Sequence, residues 1–342
     1  LEFKILVRYT SITKSFTGVT KMELLGIHHV SILTGMAERN YQFYTQVLGM
    51  RLIKKTVNQD DTTSYHLFYG DAEGNPGTDL TFFDIPHLGT GVPGASSISS
   101  TSLRVKTTDS LRFWQERFKE KDVDHDEIVE RAGRQTLAFR DQEGTRLILV
   151  AEDGEIGVAG GVPWPQEEIP SEHAIVGLGA VTLTVNDPTL TVRVLTEVMG
   201  FRKIGTYPSL AGEFAPIEVY ATGAGGIGAE VHIEARPDLD RERLGRGGVH
   251  HVAFRVPNSD EYEKWVERLN AYHLPNSGKV DRHYFQALYF REPNHILFEL
   301  STDTPGFATD ESVETLGETL ALPPFLEPKR AAIEARLRPL EI

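Results

Sequence analysis

Gly-Ile-His-His-Val-Ser-Ile-Leu (26–33) and Val-His-His-Val-Ala-Phe-Arg-Val (249–256) are the two stretches on which the fold turns. Each is a short apolar run holding a histidine pair, and each heads a segment built to the same plan. An amphipathic helix follows the run, and three strands follow the helix. The last of these comes after a turn rich in Gly, Asn or Asp. Self-similarity of this kind is the mark of a repeated structural unit. Between these two segments the plan occurs twice more, so that the chain reads as four units.

The first unit has its helix near Glu38–Leu48 and closes with Gly-Thr-Asp-Leu-Thr-Phe-Phe (77–83). The second opens with Ile-Ser-Ser-Thr-Ser-Leu-Arg-Val (98–105), has its helix over about Ser110–Lys121 and closes with Gly-Thr-Arg-Leu-Ile-Leu-Val (144–150). The third opens with Gly-Leu-Gly-Ala-Val-Thr-Leu-Thr-Val (177–185), has its helix near Thr189–Met199 and closes with Gly-Ala-Glu-Val-His-Ile (228–233). The fourth, opened by 249–256, has its helix over Ser259–Ala271 and closes with Asn-His-Ile-Leu-Phe-Glu-Leu (294–300). Val-Leu-Gly-Met-Arg (47–51) and Val-Met-Gly-Phe-Arg (198–202) end the helices of units one and three, with glycine at the expected position after the helix. Units one and three thus look alike, as do two and four. The expected organisation is an α+β fold in two halves, 22–152 (units one and two) and 175–302 (units three and four), joined by a Gly/Pro-rich linker at 153–174. Residues 303–342 form a tail, with Ala331–Leu337 expected to be helical and to pack on the surface. Residues 1–21 read as a leader or upstream extension.

The composition narrows the chemistry. The 342 residues carry 35 Lys and Arg against 49 Asp and Glu, a net charge of −14, which argues against nucleic acid or an anionic membrane as a partner. No stretch approaches the roughly 18 uninterrupted apolar residues of a membrane span. There is no cysteine, so any metal must be held by His, Asp or Glu. A cytoplasmic location fits these features, and the sequence leaves a homo-oligomer open.

Alignment of the units shows where chemistry gathers. The opening strands hold His28-His29, Ser99-Ser100, Gly179-Ala180 and His250-His251 at matching places. The closing strands hold Phe82, Leu149, Ile233 and Glu299. Ligand-type residues therefore stand in units one and four and are absent from two and three. A strand alternates its faces, so one histidine of each pair is expected inward and its neighbour outward or in a layer behind. The phase favours His29 and His251 as metal ligands with Glu299, a carboxylate otherwise costly in an apolar strand. His28 and His250 then stand behind them. Two histidines and one carboxylate leave open positions on a metal and suit iron(II) that activates oxygen.

These features resemble the vicinal oxygen chelate superfamily, whose unit is the βαβββ module and whose members include glyoxalase I, extradiol dioxygenases and bleomycin-resistance proteins. The resemblance spans about residues 24–302. It is nearer to the para-hydroquinone ring-cleaving dioxygenases, whose ligands come from the first and fourth modules. Catechol enzymes use the third and fourth, and Gly179-Ala180 cannot ligate. The resemblance implies curved mixed sheets, Fe(II) at His29, His251 and Glu299, and an aromatic diol and O2 as reactants. It further implies catalytic roles for His28, His250, Tyr289 (ten residues before Glu299) and Arg282 (seventeen before), with Ser31 in place of the family's threonine. Taken alone, Tyr289 reads as core and Arg282 as a surface charge, and His66, His232 and His283 read as structural. The same ligand set accepts other divalent ions such as Mn, Zn or Ni.

Two rival readings accompany this one. A glyoxalase-type isomerase would need a second carboxylate, where Phe82 stands; Asp84, two residues on, could supply it if the register slips. A quinone- or antibiotic-binding protein would need no ligand triad.

Overall fold

The structure, a computed structural model, describes residues 22–340, and the expected leader 1–21 lies outside the described residues. All four modules are present. Module one comprises β1 (Ile27–Thr34), α1 (Ala37–Gln42), β2 (Arg51–Val57), β3 (Tyr65–Gly70) and β4 (Asp79–Asp84). Module two has β5 (Ser97–Val105), α2 (Thr108–Glu120), β6 (His125–Arg131), β7 (Arg134–Arg140) and β8 (Arg146–Ala151). Module three has β9 (Ile175–Val185), α3 (Thr189–Arg193), β10 (Arg202–Tyr207), β11 (Ile217–Ala221) and β12 (Glu230–Ala235). Module four has β13 (Val249–Val256), α4 (Ser259–Ala271), β14 (Val280–Asp281), β15 (Phe285–Arg291) and β16 (Leu297–Pro305).

The strands make two mixed eight-stranded sheets, ordered β14-β15-β16-β13-β1-β4-β3-β2 and β10-β11-β12-β9-β5-β8-β7-β6. In every module the opening strand runs parallel to the closing strand. Modules join through their opening strands, which are antiparallel. The first sheet therefore unites modules one and four, and the second unites modules two and three. This partition cuts across the halves 22–152 and 175–302 expected from the sequence: likeness along the chain does not decide which edges pair.

Local chemistry explains the helices. α2 and α4 begin at Thr107 and Asn258, whose side chains accept from the amides of Ser110 and Glu261. Leu111, Trp114 and Phe118 on α2, and Tyr262, Trp265 and Leu269 on α4, fall on one stripe and are buried against the sheets. α1 and α3 are shorter, because each passes into a π-helical turn, Phe43–Val47 and Val194–Val198. Both end at a glycine with positive φ, Gly49 at 68° and Gly200 at 77°.

The segment 153–174 is fastened rather than free. Arg104 donates to the carbonyls of Val158 and Ala159 at 2.8 and 3.0 Å, and the amide of Val162 donates to Asp71 at 2.8 Å. The tail holds its helix at Arg330–Glu334, α5, which overlaps the expected Ala331–Leu337 only in part. It is also more than a surface layer. Phe307 and Leu316 join a small core with Ile53, Phe68, Tyr284 and Phe285 under the first sheet. The fully buried Lys54 reaches Asp310 at 2.7 Å and also pairs with Glu311.

Candidate metal centre

Register puts the histidine pairs in place. Along β1, Ile27 pairs with Phe254 and His29 with Ala253, so His28 is the extra residue of a β-bulge. Along β13, His251 pairs with Ser31 and Val249 with Ile32, so His250 is the extra residue of a second bulge. The bulges keep the two rings of each pair together, with His29 and His251 at the centre and His28 and His250 in the layer behind them, one of the two arrangements that strand alternation allowed.

His29 Nε2 lies 3.3 Å from Glu299 Oε2 and 3.3 Å from His251 Nε2, and His251 Nε2 lies 2.9 Å from the same Oε2. Among the described residues these three are the one group of three or more His, Asp or Glu side chains able to share an ion. The spacing is itself a test of fit. Three neighbouring ligand atoms about 2.1 Å from an octahedral ion stand about 3.0 Å apart. The surroundings of the carboxylate fit the same ion. Ser301 donates to Oε1 at 2.7 Å, while Oε2 is buried with no hydrogen-bond donor besides the imidazoles. Burial drives the Glu299 carboxyl up, but His29 and His251 beside it prevail and hold it well below the usual range.

The remaining ring nitrogens are engaged from behind. His28 Nδ1 is 3.0 Å from His29 Nδ1, and His28 Nε2 is 3.2 Å from the carbonyl of Thr302. His250 Nδ1 is 2.8 Å from His251 Nδ1. Burial, then the neighbouring ligand histidine, pushes His28 far down and His250 down to about 3. Both are neutral acceptors for the Nδ1–H of a ligand, which leaves each ligand Nε2 for a metal. They touch the ligands and do not line the hollow in front of them.

That hollow is lined by Phe83, Phe285, Tyr289, Arg282, His66 and the β2–β3 turn at 58–60, among others. Tyr289 pairs with Glu299 across β15 and β16. Burial, then the charge of Glu299, raises the Tyr289 phenol far above its ordinary value, so it remains a donor. Arg282 Nε donates to Tyr289 Oη at 3.2 Å, and its Nη1 and Nη2 donate to Asp60 at 3.2 and 2.9 Å. Ser31 lies behind the hollow, 2.7 Å from Thr81 Oγ1.

The register also revises the alignment of closing strands. Ala253 pairs with Glu299 and Ser31 pairs with Thr81, so Thr81 and not Phe82 is the counterpart of Glu299. Phe82 packs on Tyr44 and Tyr69 on the opposite, helix-bearing face. Asp84 shares that face and lies 3.6 Å from Arg338, away from the cluster. In module three the counterpart is His232, since Thr182 pairs with it. His232 sits between Tyr207 at 3.0 Å and Glu230 at 3.2 Å, and Glu230 takes two bonds from Arg134 at 2.8 Å. The second sheet thus fills its equivalent place with an ion network. His283 is apart from the cluster, 3.6 Å from Asp310. Sequence reasoning set His66 aside and passed over Asp60 and Phe285; a lone histidine in Tyr-His-Leu-Phe-Tyr-Gly carries no signal.

Paired βαβββ modules with two histidines and a glutamate converging from the outer two define a class of small-molecule metal-site proteins. The chain belongs to the glyoxalase/bleomycin resistance protein/dioxygenase superfamily, whose family model matches residues 26–149 and 177–300. It is 51% identical over 320 residues to "Putative ring-cleaving dioxygenase MhqA" of Bacillus subtilis, covering 94% of this chain and all of that one. It is 32% identical to the chlorohydroquinone/hydroquinone 1,2-dioxygenase of Sphingobium indicum, over 88% of this chain and 92% of that protein. A crystal structure titled "putative dioxygenase" from Bacillus subtilis superposes with a TM-score of 0.84 at 36% identity, over 94% of this chain and 99% of that one. No helix among the described residues is long and apolar enough to cross a membrane.

Proposed function

We propose that the protein is an iron(II)-dependent ring-cleaving dioxygenase acting on hydroquinone-type diols. The observation that carries this is the approach of His29, His251 and Glu299 to 2.9–3.3 Å of one another at the back of an aromatic-lined hollow. Its near full-length similarity to proteins named as ring-cleaving dioxygenases supports it. A ferrous ion, when bound, supplies a Lewis acid for the diol oxygen and an electron source for dioxygen.

The chain's own residues do the rest. His28 and His250 fix the ligand imidazoles by taking their Nδ1 protons in hydrogen bonds. Tyr289, protonated and oriented by Arg282 Nε–H, has its own O–H to give to an oxygen of the reactants. Asp60 holds the guanidinium in position. Phe83 and Phe285 offer ring faces to an aromatic substrate and keep bulk water out. The isomerase reading lacks its second carboxylate, since Thr81 faces the site and Asp84 does not.

The test is oxygen uptake by anaerobically iron-loaded protein given hydroquinones and catechols. Stoichiometric uptake with loss of the ring absorbance is expected. Tight diol binding with no oxygen consumed would end the proposal, and nickel- or zinc-dependent turnover without oxygen would transfer it to the isomerases.

A further inference from the structure

We infer that His66 determines specificity for the diol, taking the hydroxyl at the far end of the ring on its Nδ1 and so favouring 1,4-diols over 1,2-diols. This rests on the diol reading given above.

His66 lines the same hollow as His29, His251 and Tyr289. Its ring lies 4.0 Å from both Phe68 and Phe83, tilted by 39° to the first and stacked at 26° on the second. Nε2 is spent on Thr81 Oγ1 at 3.0 Å, and Thr81 is braced by Ser31 at 2.7 Å. Nδ1 has no protein hydrogen bond among the described residues. Tyr289 keeps its O–H for the reactants, and three other polar side chains around the hollow are committed elsewhere. Gln59 donates to the Arg282 carbonyl at 2.9 Å, Asp60 accepts from the Arg282 guanidinium, and Tyr284 donates to Asp310 at 2.8 Å. Thr56, the register partner of His66 on β2, has a buried hydroxyl with no hydrogen-bond partner among the described residues.

The fold itself does not ask for an imidazole here. His66 pairs with Phe83 as Ala287 pairs with Ser301, so the same place in module four is filled by an alanine. Position also suits the role. β3 lies two strands from β1, on the order of 10 Å at ordinary sheet spacing. That span accommodates an oxygen held at His29, His251 and Glu299, one aromatic ring and a hydrogen bond to His66. A 1,2-diol keeps both oxygens at one edge and leaves Nδ1 unpaired, a loss that discriminates strongly in a closed site. The Thr81 hydroxyl can give or take a proton, so Nδ1 can accept a phenol O–H or donate to a phenolate.

The test uses full-length protein loaded with zinc(II), which does not turn over, and calorimetric binding of phenol and hydroquinone. His66→Phe keeps the aromatic packing and removes the nitrogen; His66→Asn returns a polar group. Expected is a loss of about tenfold in hydroquinone affinity in His66→Phe with phenol unchanged, partly restored in His66→Asn. In the iron enzyme the ratio of kcat/KM for hydroquinone to that for catechol falls similarly. Equal losses for phenol and hydroquinone, or no loss for either, overturn the inference. If the binding pattern holds but no diol consumes oxygen, the reaction is wrong and the role of His66 stands. If oxygen is consumed and the pattern fails, only the role of His66 falls.

Discussion

The ring of His28 ties His29 to the strand that carries Glu299: its Nδ1 meets His29 Nδ1 at 3.0 Å and its Nε2 meets the Thr302 carbonyl on β16 at 3.2 Å. A candidate ligand from module one is thereby aimed by the backbone of module four. His250 gives His251 a matching partner at 2.8 Å, without a second anchor among the described residues.

Replacement of either orienting histidine therefore reaches the metal as well as the turnover. His28→Phe and His250→Phe are expected to lose roughly 10- to 100-fold in metal affinity or activity. Competition with a chelator and kcat measured at saturating iron separate the two effects. The contact of these rings with His29 and His251 is the reason to expect weakened binding as well as slower turnover.

Tyr289 and Arg282 make a different case, because they touch the hollow and not the ligand nitrogens. Tyr289→Phe should retain stoichiometric metal and lose roughly 100-fold in kcat, as for removal of one preorganised donor. Arg282→Ala should resemble it. Metal content by elemental analysis alongside oxygen uptake checks both, and an iron-free Tyr289→Phe would contradict the assignment.

Glu299→Gln preserves shape and removes the charge that two imidazoles surround. Loss of at least about 100-fold in affinity for divalent metal is expected, since an anionic oxygen ligand becomes a weak neutral one. Differential scanning with and without added zinc reads it: the metal-induced rise in Tm vanishes in the variant.

Lys54 is fully buried, with Asp310 and Glu311 around its ammonium and the Tyr284 ring 4.7 Å away. Lys54→Met strands two carboxylates and should cost roughly 3 kcal/mol. Because both acids belong to the tail, limited proteolysis should cut after residue 305 in the variant well before it cuts the wild type.

Acid stability follows from the second sheet. Burial raises the Glu230 carboxyl, but His232 and Arg134 overcome this and bring it from 4.5 down to about 2. A folded value below the unfolded one contributes stability that is complete above pH 4.5 and is lost as pH falls toward 2. Glu230→Gln should therefore be less stable than wild type by on the order of 2 kcal/mol near neutrality, and the gap should close on acidification. Urea midpoints at several pH values measure it.

The modules were legible because each opens with an apolar run, and because the first and third end their helices at a glycine, Gly49 and Gly200. The triad was legible because a histidine pair recurs at one place in two modules. The counterpart of Glu299 was misread by one residue, Phe82 for Thr81, because β4 is buried along nearly its whole length and offers no polar alternation to set its phase. The side-by-side orientation of each histidine pair depends on bulges, which arise from pairing between strands over two hundred residues apart. His66 was invisible for a related reason: its meaning comes from Thr81 and Phe83 on another strand.

The joining of module one to module four orders events during synthesis. The ligands at 29, 251 and 299 span most of the polypeptide, while modules two and three complete their own sheet between them. A ribosome that has delivered the inner sheet is still holding a first module with one of the three clustered side chains and an uncovered strand edge. A chain stopped before residue 299 has an inner sheet to fold around and lacks the carboxylate that completes the cluster.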